Sequence, residues 1–157
     1  AGFPGIVLKI LRDDLKITLL DSLNKRVNFL NQTIKLLNLK DIIAVHARVE
    51  DFAKAHFQKF DYATSRAVAS LPTLSEYLLP LVKMGGEAVV YKAQKLDQEI
   101  ELAQNAIKVL GGKIIAVKDF FDEESSSERK LLFIKKLSQT PKIYPRGKNL
   151  PKTKPIE

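Results

Sequence analysis

Gly2 and Asp21 stand 19 residues apart, and their types and spacing suit a nucleoside site. A glycine in a strand-to-helix turn lets a ligand approach the backbone closely, and an acid about 20 residues further on can accept hydrogen bonds from ribose hydroxyls. The opening stretch "AGFPGIVLKI" brackets Phe3 and Pro4 between Gly2 and Gly5 and runs at once into apolar residues. Phe3 and Pro4 put bulk where a pyrophosphate would need bare backbone, so a nucleoside without phosphates fits better. S-adenosylmethionine is the common ligand of that kind. Asp21 also suits a competing role, as an acid beside Ser22 at a helix N-terminus. In "ARVED" (47–51) an acid or backbone group could read an adenine edge, although Asp51 better suits a solvated turn opening a short helix. In "TSRA" (64–67) Arg66 follows an apolar run; a buried arginine there needs an anionic partner, which a ligand or a structural ion pair would supply.

Other chemistries find no support. The chain has 157 residues and no cysteine, so disulfides and thiolate zinc sites are excluded. Its two histidines, His46 and His56, are ten residues apart, which makes a histidine-based metal site improbable. "GFPG" is not followed by Gly-Lys-Ser/Thr and is not a phosphate loop of that type. No Ser/His/acid set falls at the strand ends. Neither a signal peptide nor a long apolar span is visible, and a cytoplasmic location is expected. The net charge is +8 and the pI about 9.6, which favours a polyanionic partner. Half of that excess sits at the end: residues 138–157 carry Lys142, Arg146, Lys148, Lys152 and Lys154 against Glu157 alone, five minus one.

The elements that must position these residues alternate between two periods. "KITLLD" (16–21) predicts a strand. Leu23, Val27, Leu30, Ile34 and Leu37 then recur at spacings of 4, 3, 4 and 3, one stripe of an amphipathic helix. "DIIAVHA" (41–47) and "FDYATSRA" (60–67) predict buried strands. "TLSEYLLPLVK" (73–83) is helical, although Pro80 should end or kink it. "EAVVYKA" (87–93) predicts a strand, and 96–110 a helix stopped by Gly111-Gly112. "KIIAVKDFF" and "RKLLFIKKL" predict an antiparallel pair about the tip "DEESSSE". Strands alternating with helices imply a doubly wound α/β sheet, here closed by a C-terminal hairpin. The first 139 residues form one domain on this pattern. Residues 140–157, rich in proline and lysine, should be extended and ordered only by docking.

Taken in order, these pieces resemble one family over essentially the whole chain. "AGFPGIVLKI", "LLDSLNKRVNFL", "RVEDF", "TSRAVASL", "MGGEAVVYKA" and "TPKIYPR" are similar to the successive motifs of the bacterial small-subunit (16S) ribosomal RNA guanine-N7 methyltransferases, also called the glucose-inhibited division protein B family. The resemblance implies a class I S-adenosylmethionine-dependent, Rossmann-like methyltransferase fold. It implies that Gly2 and Phe3 line the methionine and ribose side of the donor, that Asp21 holds the ribose hydroxyls, that Val49 and Glu50 meet the adenine, and that Arg66 lies near the methionine end or the incoming base. Lys92 could contact phosphate or the guanine oxygen, or be an ordinary solvated lysine. The implied partner is 16S ribosomal RNA or the small ribosomal subunit, engaged by a monomer away from membranes, with Lys142, Arg146 and Lys148 adding affinity by counterion release. Guanine N7 has an in-plane lone pair and no proton to lose, which suits a site without a general base. A non-catalytic RNA-binding module on the same fold, or a methyltransferase with another substrate, are the alternatives.

At the front the chain departs from the family, whose turn reads Gly-x-Gly-x-Gly; only the last glycine is present, as Gly2. In the class I fold the strand preceding that turn lies between the "TLLD" and "YATS" strands. Its absence would leave a gap of about 10 Å between two unpaired edges. Upstream residues supplying a strand, two glycines and a helical region are therefore expected.

Overall fold

The computed structural model describes residues 2–66, 69–92, 96–122 and 127–156. The chain divides into two compact units, Ala1–Phe52 and Ala53–Glu157.

The first unit contains α1 (Gly5–Leu11), β1 (Ile17–Asp21), α2 (Asn24–Leu36) and β2 (Ile42–His46). β1 and β2 pair in parallel from Ile17↔Ile42 to Asp21↔His46. Ile6, Leu19, Leu30 and Ile42 form the core, with Ile17, Ile34, Leu39 and Ala44 packed against it. The α2 stripe is buried only in its middle, at Val27 and Leu30, while Leu23 and Leu37 at its ends are half exposed. α2 stops at Asn38, in the left-handed region at φ 50°. There Leu39 N–H donates to Ile34 O (3.0 Å) and Asn38 N–H to Lys35 O (3.1 Å), a Schellman pair that occupies the last free carbonyls. α3 (Val49–Ala55) straddles the division between the units.

The second unit contains β3 (Phe60–Arg66), α4 (Leu71–Leu78), β4 (Val82–Lys92), α5 (Leu96–Val109), β5 (Gly112–Asp122), β6 (Ser127–Lys136) and α6 (Leu150–Thr153). Its sheet runs β3-β4-β6-β5, with β3 parallel to β4 and β6 antiparallel to both its neighbours. The expected hairpin is present, and its second strand lies between β4 and the first. Residues 123–126, most of the predicted tip, lie outside the described residues. Leu71 and Leu74 of α4, Ala103 and Ala106 of α5, and Ala88, Val90, Leu132 and Ile134 of the sheet are at most 1% exposed and make the core. Gly111 ends α5 as predicted, at φ +83°. Its carbonyl accepts from Leu137 N–H (2.8 Å) and Ser138 N–H (3.1 Å), so the glycine that stops the helix also anchors the chain leaving β6.

Three expectations are corrected. α4 covers Leu71–Leu78 rather than 73–83: it starts two residues earlier, and Pro80 ends it, as its ring would collide with the helix carbonyl four residues back. β4 therefore begins at Val82 rather than Glu87. It carries Met84, Gly85 and Gly86 as an irregularity in its pairing with β3, where Gly86 packs so tightly on Asp61 O that no side chain fits. The β2 and β3 segments are not buried throughout: Ile43 is 59% and Tyr62 65% exposed, and Ser65 is the one buried residue of β3. Among the described residues each of these strands pairs on one edge only, β2 with β1 and β3 with β4. The two ladders form separate sheets rather than one.

The C-terminal segment is not wholly extended. Thr140, Pro145 and Pro151 are buried, and residues 150–153 form the short α6. Its start is held by Lys136, a fully buried lysine. The ammonium donates to Leu79 O (2.9 Å) at the end of α4, to Leu110 O (2.7 Å) just past α5, and to Thr140 Oγ1. Thr140 in turn donates to Leu110 O (2.7 Å). One cation thus meets the negative ends of two helices.

Candidate functional site

The opening turn needs glycine twice. Gly2 has φ +87°, and a Cβ there would lie 2.7 Å from Ile6 Cδ1 and 2.9 Å from Leu30 Cδ2. Its carbonyl accepts from Ile6 N–H at 2.7 Å, which starts α1. A Cβ on Gly5 would strike Leu19 Cδ2, so Gly5 lets α1 lie directly on β1. This second role is one that sequence spacing did not bring out. Phe3 between them is 62% exposed. Gly2→Ala should lower the free energy of unfolding by about 1–3 kcal/mol, from left-handed strain plus overpacking. Denaturant titration checks this, and an unchanged midpoint would show that the turn relaxes freely.

Asp21 sits at the carboxyl end of β1 with a side chain 16% exposed. Oδ1 accepts from Leu23 N–H (2.9 Å), and Oδ2 lies 3.5 Å from Arg26 Nη1. The carboxylate thus caps the entry to α2, and its remaining lone pairs stay available to hydroxyl donors. Asp21 is register-paired with His46, so the segment after β2 leaves from the same end of the sheet. That segment carries Val49 and Glu50, the first residues of α3. Glu50 is only 6% exposed and has no hydrogen-bond or ion-pair partner among the described residues. The carboxylate oxygens themselves still reach solvent, which leaves them open to an N–H or O–H donor from a ligand. α1 leads through a reversal into β1, which returns Gly2 and Phe3 to this same end. The first unit therefore brings Gly2, Phe3, Asp21, Val49 and Glu50 to the carboxyl ends of a parallel pair, where ligands of open α/β sheets bind.

The second unit holds the remaining candidates. Arg66 ends β3 and is exposed. Lys92 ends β4, but its side chain is only 12% exposed and it is not an ordinary solvated lysine. It donates to Glu99 Oε2 (2.6 Å) and Ala69 O (2.8 Å), and the same Glu99 oxygen accepts from Leu71 N–H (2.7 Å). Lys92 and Glu99 thereby fasten the start of α4 to α5. Arg146 is also engaged. Glu76 of α4 is completely buried, and its Oε1 accepts from the backbone N–H (2.8 Å) and Nε (2.9 Å) of Arg146, while Oε2 accepts from Nη2 (2.6 Å). Beside Glu76 the guanidinium is held above its ordinary pKa. Lys142 and Lys148 are exposed and make no ion pair among the described residues.

Residues 1–132 match the family model described as rRNA small subunit methyltransferase G. Ribosomal RNA small subunit methyltransferase G of Desulforamulus reducens is 49% identical over 99% of this chain, and that of Clostridium botulinum (strain Loch Maree) 49% identical over 100% of this chain. The chain belongs to the rRNA small subunit methyltransferase G family. It spans 66% of the length of each of these two relatives. Solved methyltransferase structures share the architecture of this chain. A 16S rRNA adenine-N1 methyltransferase from Catenulisporales acidiphilia superposes with a TM-score of 0.68 at 10% identity, covering 90% of this chain and 80% of that one. TYW2 of M. jannaschii, solved in complex with AdoMet, gives 0.61 at 16% identity, covering 79% of this chain and 60% of that one. At such identities the likeness is one of fold alone. The class I methyltransferase fold expected from the motifs, with its antiparallel C-terminal strands, is thus supported.

Proposed function

We propose that this chain forms the donor-binding part of an enzyme that methylates N7 of a guanine in 16S ribosomal RNA. The observation that carries this is the set at the carboxyl ends of β1 and β2, in a member of this family: a glycine turn, Asp21 with acceptor capacity to spare, and Glu50, a mostly buried side chain whose carboxylate oxygens remain accessible. S-adenosylmethionine fits that set, and when bound it supplies an electrophilic methyl group. Asp21 would accept from the ribose hydroxyls, Glu50 and Val49 would meet the adenine, and Gly2 with Phe3 would flank the methionine side. Arg66 would stand near the methionine end or the target base. The chain's part in the chemistry is to hold and orient, because the guanine nitrogen already carries its lone pair. An unstacked guanine in a loop or bulge would present that edge. The reading includes a cytoplasmic monomer acting on the RNA or on the small subunit; no helix among the described residues is long and apolar enough to cross a membrane.

Titration calorimetry with S-adenosylmethionine should show Asp21→Ala weakening binding by about 1–3 kcal/mol, the cost of unpaired ribose hydroxyls. An unchanged affinity would remove Asp21 from the site. Incubation with labelled donor and 16S ribosomal RNA, followed by primer-extension mapping, should place the label on guanine N7. Label on another atom, or none with either RNA or assembled subunits, would overturn the assignment.

A further inference from the structure

Within the second unit, the segment after Thr140 lies along one face of α4. Thr73 and Glu76, three residues apart and so on the same side of that helix, both hold it. Thr73 Oγ1 donates to Pro151 O at 2.8 Å, and Glu76 accepts from the backbone N–H and the guanidinium of Arg146. Arg146 Nη2 also donates to Lys154 O at 2.8 Å, which closes the segment on itself. α4 begins just after the carboxyl end of β3, so the contact with Thr73 brings the Pro151 end of the segment toward the side of the sheet where ligands of such folds bind, while its start at Thr140 is held at the far end of α4.

The charges on this surface are unbalanced. Residues 140–156 contain Lys142, Arg146, Lys148, Lys152 and Lys154 and no acid. Glu76 neutralises Arg146, but Lys142, Lys148, Lys152 and Lys154 are exposed and have no ion-pair partner among the described residues. Lys54 of α3, equally exposed and unpaired among the described residues, joins them from a distant part of the chain. Its Nζ lies 3.5 Å from where a Cβ on Gly147 would stand. A cluster of like charges held in place by a buried carboxylate opposes its own folding unless an anion compensates it.

We propose that the docked segment 142–154 and Lys54 form a preformed surface for the phosphates of ribosomal RNA, with Glu76 and Arg146 as its positioning pair rather than as RNA contacts. The assignment rests on the RNA-methyltransferase reading and deepens it. Arg146, a candidate contact by sequence, becomes the fastener, and Lys54 becomes a contact. Pre-ordering the lysines spares RNA binding the entropy of arranging them.

Fluorescence anisotropy with a labelled stem-loop fragment of 16S ribosomal RNA separates these roles by sign. Glu76→Gln removes the buried charge. If Arg146 is the fastener, the segment loosens and affinity falls roughly tenfold. If Arg146 is a contact held back by Glu76, the variant frees it and affinity rises. Lys54→Ala with Lys148→Ala touches only exposed side chains. That double variant should flatten the slope of log affinity against log salt by about 1.4, or 0.7 for each phosphate of single-stranded RNA that is no longer neutralised. An unchanged slope, or an unchanged or higher affinity in Glu76→Gln, overturns the proposal. Should Glu76→Gln fail to fold, the double lysine variant decides alone. Methyl transfer by the unaltered chain tests the underlying reading separately, so an active enzyme with an unchanged slope refutes the surface and leaves the activity standing.

Discussion

Arg146→Ala is expected to lower the free energy of unfolding by about 3–5 kcal/mol, the usual loss when one member of a buried ion pair is removed. The size follows from Glu76, not from the arginine. Arg146 is 26% exposed, and an exposed pair would contribute at most about 1 kcal/mol. Glu76 is at 0%, on a helix whose other residues are buried with it, and water cannot replace what it loses. The substitution removes the two side-chain donors, Nε and Nη2, and leaves Glu76 only the backbone N–H of residue 146. Urea titration monitored by circular dichroism measures the effect, with the slope m checked for constancy. Exchanging both residues, Glu76→Leu with Arg146→Met, should recover most of the loss, since no charge is then left buried. A loss below about 1 kcal/mol for Arg146→Ala would mean that Glu76 finds water or another donor.

Lys136 should make stability rise with pH in a range where most proteins lose it. Burial pushes its ammonium down from 10.5 to about 8. In the folded chain the proton leaves near pH 8; in the unfolded chain it stays until about 10.5. Between those values the unfolded state binds more protons, so raising the pH favours the folded state. Below pH 8 both states are charged, and the full desolvation cost is present. The gain across the window is about 3 kcal/mol at 1.4 kcal/mol per pH unit. Other lysines and tyrosines titrate there too, so the quantity to measure is the difference between the unaltered chain and Lys136→Met. That difference should grow in favour of the lysine between pH 8 and 10.5. A flat difference would mean that Leu79 O, Leu110 O and Thr140 Oγ1 together hold the ammonium charged throughout.

Much of this architecture is legible along the chain because its causes are local. The spacing of apolar residues marks α2 and α5, a β-rich run ending in an acid marks β1 with Asp21 at its end, and Gly111 stops α5 through a backbone angle that other residues avoid. Each of these depends on a few consecutive residues. Pro80 carries a local signal as well, and its full consequence, a helix that closes at Leu78, follows from the ring and the carbonyl four residues back.

Other features have no local cause. That Ile43 and Tyr62 are exposed depends on what covers the faces of β2 and β3, and the apolar character of a strand is silent about its neighbours. An acid within the apolar run "LSEYLLPL" is conspicuous, yet nothing nearby names its partner, because Arg146 lies 70 residues away. Lys92 reads as a free cation at a strand end until Glu99 is placed beside it, and Lys54 approaches Gly147 only through the fold. Sequence by itself determined the order of the elements, the turn chemistry of the glycines and the end of the sheet to which Asp21 belongs, because dihedral preference and periodicity act over a few residues. Tertiary structure alone decided which charges are spent on one another and which remain for a ligand, because Coulomb attraction and desolvation depend on distance in space, not separation along the chain.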